Sequence, residues 1–337
     1  MDFLTREIQM NQMGNILQTQ FMLDEDCNVS DSKRDMQRIV ASSGTVKVEE
    51  MKPIENYLRV SGKLQFQVLY VGEGIEPTLC SLEGQLPFEE LIYSENSEGT
   101  YEVKTARAKV QATMIHSRKF RMKAMVELEL VSRQQCVEEI PMDIDSETMF
   151  FKKRQPINLL KLYMSKPDTY RIKEEITLPG TKETIGTMLW TDISNRKLDT
   201  KLVADELQIF GELLVFCFYE SPDGKIDWIE QTLPYEGRVE CVGADETMYH
   251  QVQANLEDID TDIRMDEDGE VRVIGIEGTL KLNVAVYEEE QLEVLADIYS
   301  LEKQCVLEKK AIAYEQFVLQ NHSKCKLAQR LSLPELK

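Results

Sequence analysis

An all-β fold is predicted by three observations on this chain. A thirteen-residue stretch occurs twice, at Leu58–Tyr70 and again at Leu207–Tyr219. In both copies apolar residues occupy every second position, as in a strand with one buried face. Helical periodicity is scarce, and only Thr5–Met13 and Glu183–Leu189 are fair candidates for helices. The sequence therefore predicts two tandem antiparallel repeats of about 150 residues, each a β-sandwich or an open-barrel-like sheet, with few short helices.

The duplication extends beyond apolar spacing to particular residues. Gly62 in LRVSGKLQFQVLY and Gly211 in LQIFGELLVFCFY interrupt the two copies at the same place. A glycine inside a strand indicates a bulge or a close approach of another chain segment. The later motif Leu86–Glu89 (LPFE) is matched by Leu233–Glu236 (LPYE). A duplicated strand with duplicated companions indicates a duplicated domain.

The predicted domain boundaries give two repeats and a remainder. The first repeat is predicted at 1–155 with a core over 38–135, and the second at 156–310 with a core over 185–300. The remainder, 311–337, is either the opening of a third repeat or the closing strand of the second. Its segment QFVLQNHSKCKL resembles the segments that open the first two repeats. The expectation is therefore a third repeat in a chain that has been cut.

Turn residues separate the alternating stretches. Ser221–Gly224 (SPDG) is typical of a hairpin turn, because proline presets φ and glycine accepts a positive φ. Asp266–Glu270 (DEDGE) also resembles half of a calcium loop, but an EF-hand needs further ligands and flanking helices. Strand-like residues follow it, and the corresponding place in the first repeat, 116–120, is basic. The sequence favours a turn and predicts no metal site.

The charge of the chain bears on its partners. With 60 acidic and 39 basic residues among 337, the formal net charge is −21. Such a surface repels nucleic acid and anionic membranes and favours solubility or basic partners. Two basic stretches, 118–123 and 152–154, lack interleaved aromatic residues. They indicate solvated faces and not a nucleic-acid site.

Cysteine spacing and the absence of membrane signals predict the cellular compartment of the protein. The seven cysteines form no CxxC pair, which argues against a disulfide framework and a zinc site; they are Cys27, Cys80, Cys136, Cys217, Cys241, Cys305 and Cys325. No apolar run approaches the roughly 18 residues of a membrane span, and the start MDFLTREIQM lacks a signal-peptide pattern. The expected compartment is a reducing one, the cytoplasm.

No catalytic, cofactor-binding or metal-binding residue is predicted. The three histidines are His116 at a hairpin tip, His250 in a loop, and His322 in the opening of the third repeat, with no carboxylate or cysteine at fixed short spacing. No GxGxxG or Walker loop is present. Trp190 is predicted to lie in a core. Trp228, after the SPDG turn, is weighed as an exposed contact residue against the more frequent core or edge position.

Several ordered blocks resemble one known family. The stretch RIVASSGTVKVEEMKPIENYLRVSGKLQFQVLY, followed by HSRKFRMKAMVELEL, is similar to the SPOCS domain. TMLWTDISNRKLDTKLVADELQIFGELLVFCFY in the second repeat is similar to its companion form. The resemblance spans about residues 15 to 334. Such domains occur in tandem in the SipL-type spore morphogenetic proteins of anaerobic endospore formers.

The resemblance implies a non-enzymatic scaffold or adaptor in spore coat assembly, in the mother-cell cytoplasm at the forespore surface. Its expected partners are spore coat proteins and the morphogenetic ATPase of that surface, with self-association open. The LysM module that the family ties to the ATPase contact has no counterpart before Lys337. Edge strands would be the attachment points, through β-augmentation. The alternatives are a ligand- or glycan-binding β module and an unrecognised hydrolase.

Overall fold

A computed structural model describes residues 2–95, 99–304, 306 and 308–319, with the side chains of 11–13 left aside. Every regular element within these residues is a β-strand. In chain order the strands are β1 (Asp2–Asn28), β2 (Met36–Ile54), β3 (Tyr57–Gly72), β4 (Thr78–Tyr93), β5 (Thr100–His116), β6 (Lys119–Asp145), β7 (Phe151–Thr177), β8 (Thr187–Val203), β9 (Glu206–Glu220), β10 (Ile226–Glu240), β11 (Tyr249–Met265) and β12 (Val271–Tyr299).

The twelve strands form four three-stranded sheets. The first six give the orders β2-β3-β4 and β1-β6-β5, and the last six give β8-β9-β10 and β7-β12-β11. The second half of the chain therefore repeats the topology of the first half, one strand after another. Pairing is antiparallel between β2, β3 and β4, between β5 and β6, and in their counterparts in the second half. The predicted all-β fold of tandem antiparallel repeats is confirmed.

Each repeat is a sandwich, because its hydrophobic core draws on both of its sheets. In the first repeat Leu64 and Val68 of β3 are buried in one cluster with Met122 and Val126 of β6. In the second, β9 and β12 supply a corresponding cluster, with members that include Leu213, Val215, Cys217, Leu280 and Leu282. Burying one such large apolar side chain contributes about 1.5–3 kcal/mol. The alternation read from the sequence thus marks the inward faces of the two central strands.

The two predicted short helices are wrong. Thr5–Met13 lies inside β1, where Ile8 and Met10 are both buried two residues apart, at the period of a strand. Glu183–Leu189 is a loop that leads into the first residues of β8. The loop is fixed by the amide of Ile185, which donates to the carbonyl oxygen of Val271 at 2.9 Å. Pairing with a neighbouring strand has overridden weak local preference at both places.

The chain clusters into two compact units, of which the larger comprises residues 7–140 and 161–288 and contains both cores. The smaller comprises residues 2–6, 141–160 and the described residues after 288. Its internal contacts include an ion pair between Arg6 and Glu290 at 2.7 Å. The amide of Leu160 also donates to the carbonyl oxygen of Glu315 at 2.8 Å. Residues 311–319 have no regular secondary structure. Residues 320–337, which include most of the predicted opening of a third repeat, lie outside the described residues.

The two interrupting glycines are sites of close approach, as one of the sequence alternatives predicts. Gly62 pairs across the sheet with Phe88, and Gly211 pairs with Tyr235. A Cβ at Gly211 would overlap the Tyr235 ring, and one at Gly62 would overlap the Lys47 carbonyl oxygen and touch the Phe88 ring. The aromatic residues of LPFE and LPYE thus cover the glycines of the central strands, which joins two sequence motifs into one cross-strand contact.

A second duplicated contact fixes the end of each central strand. The hydroxyl of Tyr70 donates to the carbonyl oxygen of Arg34 at 3.0 Å. In the second repeat the hydroxyl of Tyr219 donates to the carbonyl oxygen of Glu183 at 3.2 Å. Both tyrosines are fully buried. The loops that precede β2 and β8 are held in this way against the ends of β3 and β9.

We expect Gly62→Ala to lower the free energy of unfolding by about 1–3 kcal/mol, the usual effect of overpacking. The added methyl group meets a backbone carbonyl, which cannot rotate away as a flexible side chain can. Gly180→Ala is the matched control, because a Cβ there meets nothing within 4 Å. Urea unfolding of the two variants measures both effects. Equal stability of the two variants would contradict this packing.

We expect the free energy of unfolding to fall between about pH 10 and 12. Burial raises the pKa of Tyr70 to about 12 and that of Tyr219 to about 12. An unfolded tyrosine has a pKa near 10, so the folded state keeps protons that the unfolded state loses in this range, and stability decreases as pH rises.

Urea unfolding at a series of alkaline pH values, with phenolate absorbance as a second signal, measures this dependence. Tyr70→Phe combined with Tyr219→Phe is expected to flatten it. An unchanged slope in the double variant would assign the alkaline loss to other groups.

Candidate interaction surfaces

The two described histidines, His116 and His250, lie in different repeats and make structural contacts. His116 ends β5, and its Nδ1 lies 3.2 Å from the amide nitrogen of Arg118, which donates to it. His250 lies in β11 and not in a loop as predicted, since its position continues the pairing with β12. Its Nε2 is 3.0 Å from the Thr200 hydroxyl. His322 lies outside the described residues. Among the residues that are described, no group of three or more His, Cys, Asp and Glu could hold a metal ion.

The acidic loop between β11 and β12 is a turn stabilised by its own first residue. The carboxylate of Asp266 accepts hydrogen bonds from the amides of Asp268 at 3.0 Å and Glu270 at 2.9 Å. Gly269 has φ 82°, a conformation that favours glycine. The loop therefore orients its first carboxylate toward its own backbone, and the predicted turn is confirmed. The SPDG turn between β9 and β10 has the same character, with Gly224 at φ 78°.

The basic stretches are paired with carboxylates. Within 118–123, Arg121 and Lys119 both lie 2.9 Å from Asp26. Hydrogen bonds from the arginine and then the lysine lower the pKa of Asp26 to about 2. Lys152 and Arg154 make a similar pair of contacts to Asp143. These cations therefore connect neighbouring strands or strand ends. Their charges are neutralised locally, as expected for a solvated face.

The two repeats touch through an edge strand of the second and a sheet face of the first. The side-chain amide of Gln67 on β3 donates to the carbonyl oxygen of Thr191 on β8 at 2.7 Å. Its oxygen lies 3.5 Å from the amide nitrogen of the same threonine. The Gln67 side chain thus contacts backbone groups of Thr191 on an edge strand, as a neighbouring strand would. The outward-facing Leu69 and the β8 residue Leu189 are buried close by, yet belong to neither core.

A second set of contacts joins β11 to β5 and its neighbours. The side-chain amides of Gln253 and Asn255 donate to the carbonyl oxygen of Val103, at 2.6 and 3.5 Å. Lys47 of β2 forms an ion pair with Asp258, and this contact raises the pKa of the lysine. The two sets lie on β8 and β11 of the second repeat, so its orientation is fixed at two places.

A cleft of about 610 Å³ lies between the repeats. Its charges are compensated in pairs: Arg133, which ends near the cleft, lies 2.9 Å from Glu102, and Lys281 lies 2.6 Å from Glu257. Tyr101 is the one aromatic residue among the lining side chains, and it is largely buried. The cleft therefore has a polar, self-neutralised wall and not the aromatic lining that a sugar ring or a flat ligand requires.

Two apolar patches lie on the outward faces of the central sheets, and each contains at least one exposed aromatic residue. The first, here the tyrosine patch, lies at one end of the β2-β3-β4 sheet and consists of Ile54, Tyr57, Leu91 and Tyr93. Tyr57 and Tyr93 are directly paired, and their rings meet edge to face at 5.6 Å. Apolar patches of this kind on a soluble protein mark contact surfaces.

The second patch, here the tryptophan face, lies on the β8-β9-β10 sheet and consists of the half-buried Phe216 and Phe218 and the exposed Trp228. Trp228 is 51% exposed, as one sequence alternative had it, and its ring lies 6.1 Å from that of Phe216. The ammonium group of Lys182 is 5.2 Å from the indole centroid. Trp190 pairs with Phe218 from β8 and is half-buried on the outer face, so the predicted core position is wrong. The pairing skips Leu189, and this irregularity places Trp190 on the outward face with Phe218.

Sequence reasoning did not identify these patches, although it contained their signal. In LRVSGKLQFQVLY the outward positions are polar except Leu69, and in LQIFGELLVFCFY they include Phe216 and Phe218. An apolar residue out of phase with the buried alternation indicates a covered or contact-making outer face. Which of these faces is covered depends on contacts between residues more than a hundred positions apart, which the alternation does not reveal.

Comparison with known proteins agrees with the duplicated architecture. The family model described as SipL, SPOCS domain matches this chain twice, at residues 35–115 and 184–264. No curated protein and no solved structure is similar enough to count as a match. The two matched segments contain the two central sheets, with their glycine–aromatic pairs and terminal tyrosines. The chain carries two SPOCS domains in tandem.

Proposed function

We propose that this chain is a non-enzymatic scaffold or adaptor in endospore coat assembly, which recruits or bridges spore morphogenetic and coat proteins. The observation that carries the proposal is the double match to the SPOCS domain, since the presence of this domain supports a role connected with the spore coat. The proposed place of action is the mother-cell cytoplasm at the forespore surface. The proposed partners are coat proteins and the morphogenetic ATPase of that surface.

The arrangement of the repeats supports a scaffold. Two sandwiches with separate cores are joined by side-chain contacts to backbone groups, through Gln67 and through Gln253. A joint of this kind keeps binding faces on different repeats at a fixed separation, which reduces the entropy lost when two partners are bridged. The net charge of −21 further favours partners with basic surfaces.

The tyrosine patch is the surface we assign to a protein partner. Tyrosine supplies a large contact area at a small cost in side-chain entropy and is enriched in binding hot spots. The corresponding positions of the second repeat carry charge: Glu206 replaces Tyr57, and Arg238 and Glu240 replace Leu91 and Tyr93. Val203 is the apolar counterpart of Ile54. The fold therefore forms without Tyr57, Leu91 and Tyr93, which supports a binding role for these three residues of the first repeat.

The alternative function is a glycan-binding module of the spore or cell envelope. The exposed indole of Trp228 favours it, because sugar rings stack on exposed aromatic faces. The charged wall of the cleft between the repeats does not support it. Sedimentation of the protein with insoluble spore envelope glycan distinguishes the two: the scaffold proposal expects no depletion, and the glycan proposal expects depletion that Trp228→Ala abolishes.

We expect Tyr57→Ser combined with Tyr93→Ser to reduce capture of coat proteins at least about tenfold, the loss that follows from removing one interface hot spot. The measurement is a pull-down from sporulating cells, with coat and morphogenetic proteins identified by mass spectrometry. Met265→Ser is the matched control, since Met265 is an exposed apolar residue, 68% exposed, on the other repeat. Undiminished capture by the double variant would reject the tyrosine patch as the binding surface. Absence of coat proteins from the wild-type capture would count against the scaffold itself.

A further inference from the structure

The joint between the repeats contains an apolar knob. Leu189 lies where the pairing of β8 with β9 skips one residue, between Met188 and Trp190. A bulge of this kind turns a side chain away from the regular alternation. Leu189 is only 2% exposed, although it belongs to neither core. Because Thr191, two residues further along β8, is bound by Gln67, we place the buried knob where β8 meets the outer face of the first repeat.

The first repeat carries the same knob without a cover. The pairing of β2 with β3 skips a residue between Ile39 and Ala41, which places Val40 at the position equivalent to Leu189. Val40 is 49% exposed. Strand β2 is held just after Val40, where the Ser42 hydroxyl accepts a hydrogen bond from the Ala112 amide of β5 at 3.2 Å. The bulge itself is left projecting from the first repeat.

The second repeat carries the matching face, and among the described residues Trp228 on that face is still 51% exposed. Phe216 and Phe218 occupy the positions of Gln67 and Leu69, which receive β8 in the first repeat. Trp228 pairs with Phe218 on the neighbouring strand and adds its exposed ring to the same surface. The tryptophan face is thus the second repeat's version of a surface that is covered in the first, with larger apolar side chains.

Charge is complementary between the free knob and the free face. Arg38 is exposed two residues from Val40. On the tryptophan face, Asp192 and Glu230 are both exposed and both pair with Phe216 across the sheet. A cation beside the knob and two carboxylates beside the face favour this orientation of approach, even between two copies of an acidic chain.

We propose that the tryptophan face binds the Val40 knob of a second copy of this chain, head to tail. The contact would repeat between molecules the joint that Leu189 makes within the molecule. A head-to-tail contact uses two different surfaces of each copy, so every added copy leaves one knob and one face free and the series need not close. This self-association goes beyond the proposed function and does not depend on the identity of any coat protein.

The test is sedimentation velocity of the 337-residue chain across about a hundredfold range of concentration. The wild type is expected to form a series of dimers and longer species that shrinks at high salt. Val40→Glu and Trp228→Glu each remove one of the two surfaces, so each variant alone is expected to be monomeric. An equimolar mixture of the two variants is expected to form a 1:1 dimer and nothing longer, because each molecule keeps one intact surface.

Met265→Glu is the control, since it changes an apolar residue that is 68% exposed and lies outside both surfaces, and it is expected to associate as the wild type does. Thermal unfolding checks that all the variants are folded. A wild type that stays monomeric would overturn the proposal. So would a dimer that Trp228→Glu abolishes and the mixture does not restore, because that result indicates a symmetric contact between two tryptophan faces.

Discussion

The strict alternation of side chains along the two central strands is the constraint on which the rest of the structure depends. Inward residues of β3 and β9 must be apolar, because both sandwiches are built on them. Outward residues are released from that requirement. The two repeats accordingly keep the same inward pattern, while the outward positions diverge: Gln67 contacts the other repeat, and its counterpart Phe216 is half-buried against the ring of Trp228.

The same alternation explains what the sequence could predict. The duplicated strands, the two turns with positive φ and the close approach at Gly62 and Gly211 depend on residues near each other in the chain or on a motif that occurs twice. Local patterns of that kind are visible without a structure. The family resemblance rests on the same ordered blocks, and the matched segments include both central sheets.

The remaining features depend on distant contacts and could not be predicted in this way. The segment Thr5–Met13 has apolar residues that suit a short helix, but pairing with β6 keeps it extended. The sequence predicts Trp190 in a core, whereas the bulge at Leu189 places it on the outward face. The contacts of Gln67 with Thr191 and of Gln253 with Val103 join residues more than a hundred positions apart. Alternation contains no information about such pairs.

Divergence of the outward faces gives the two repeats different roles. The first contributes the tyrosine patch and a free knob, and the second contributes the tryptophan face and the strand that covers the first. A duplicated fold can in this way provide several distinct surfaces without any change to its core. A protein that is proposed to bring other proteins together is expected to vary its surfaces while its cores stay the same.

Scanning calorimetry of the wild type and of Leu69→Asp tests whether the outward face of β3 joins the two repeats. The described contacts predict one transition for the two cores of the wild type, with equal calorimetric and van't Hoff enthalpies. The buried carboxylate introduced at Leu69 should uncouple the repeats and separate this transition into two. Two independent transitions in the wild type, or a single transition that Leu69→Asp leaves unchanged, would contradict the account.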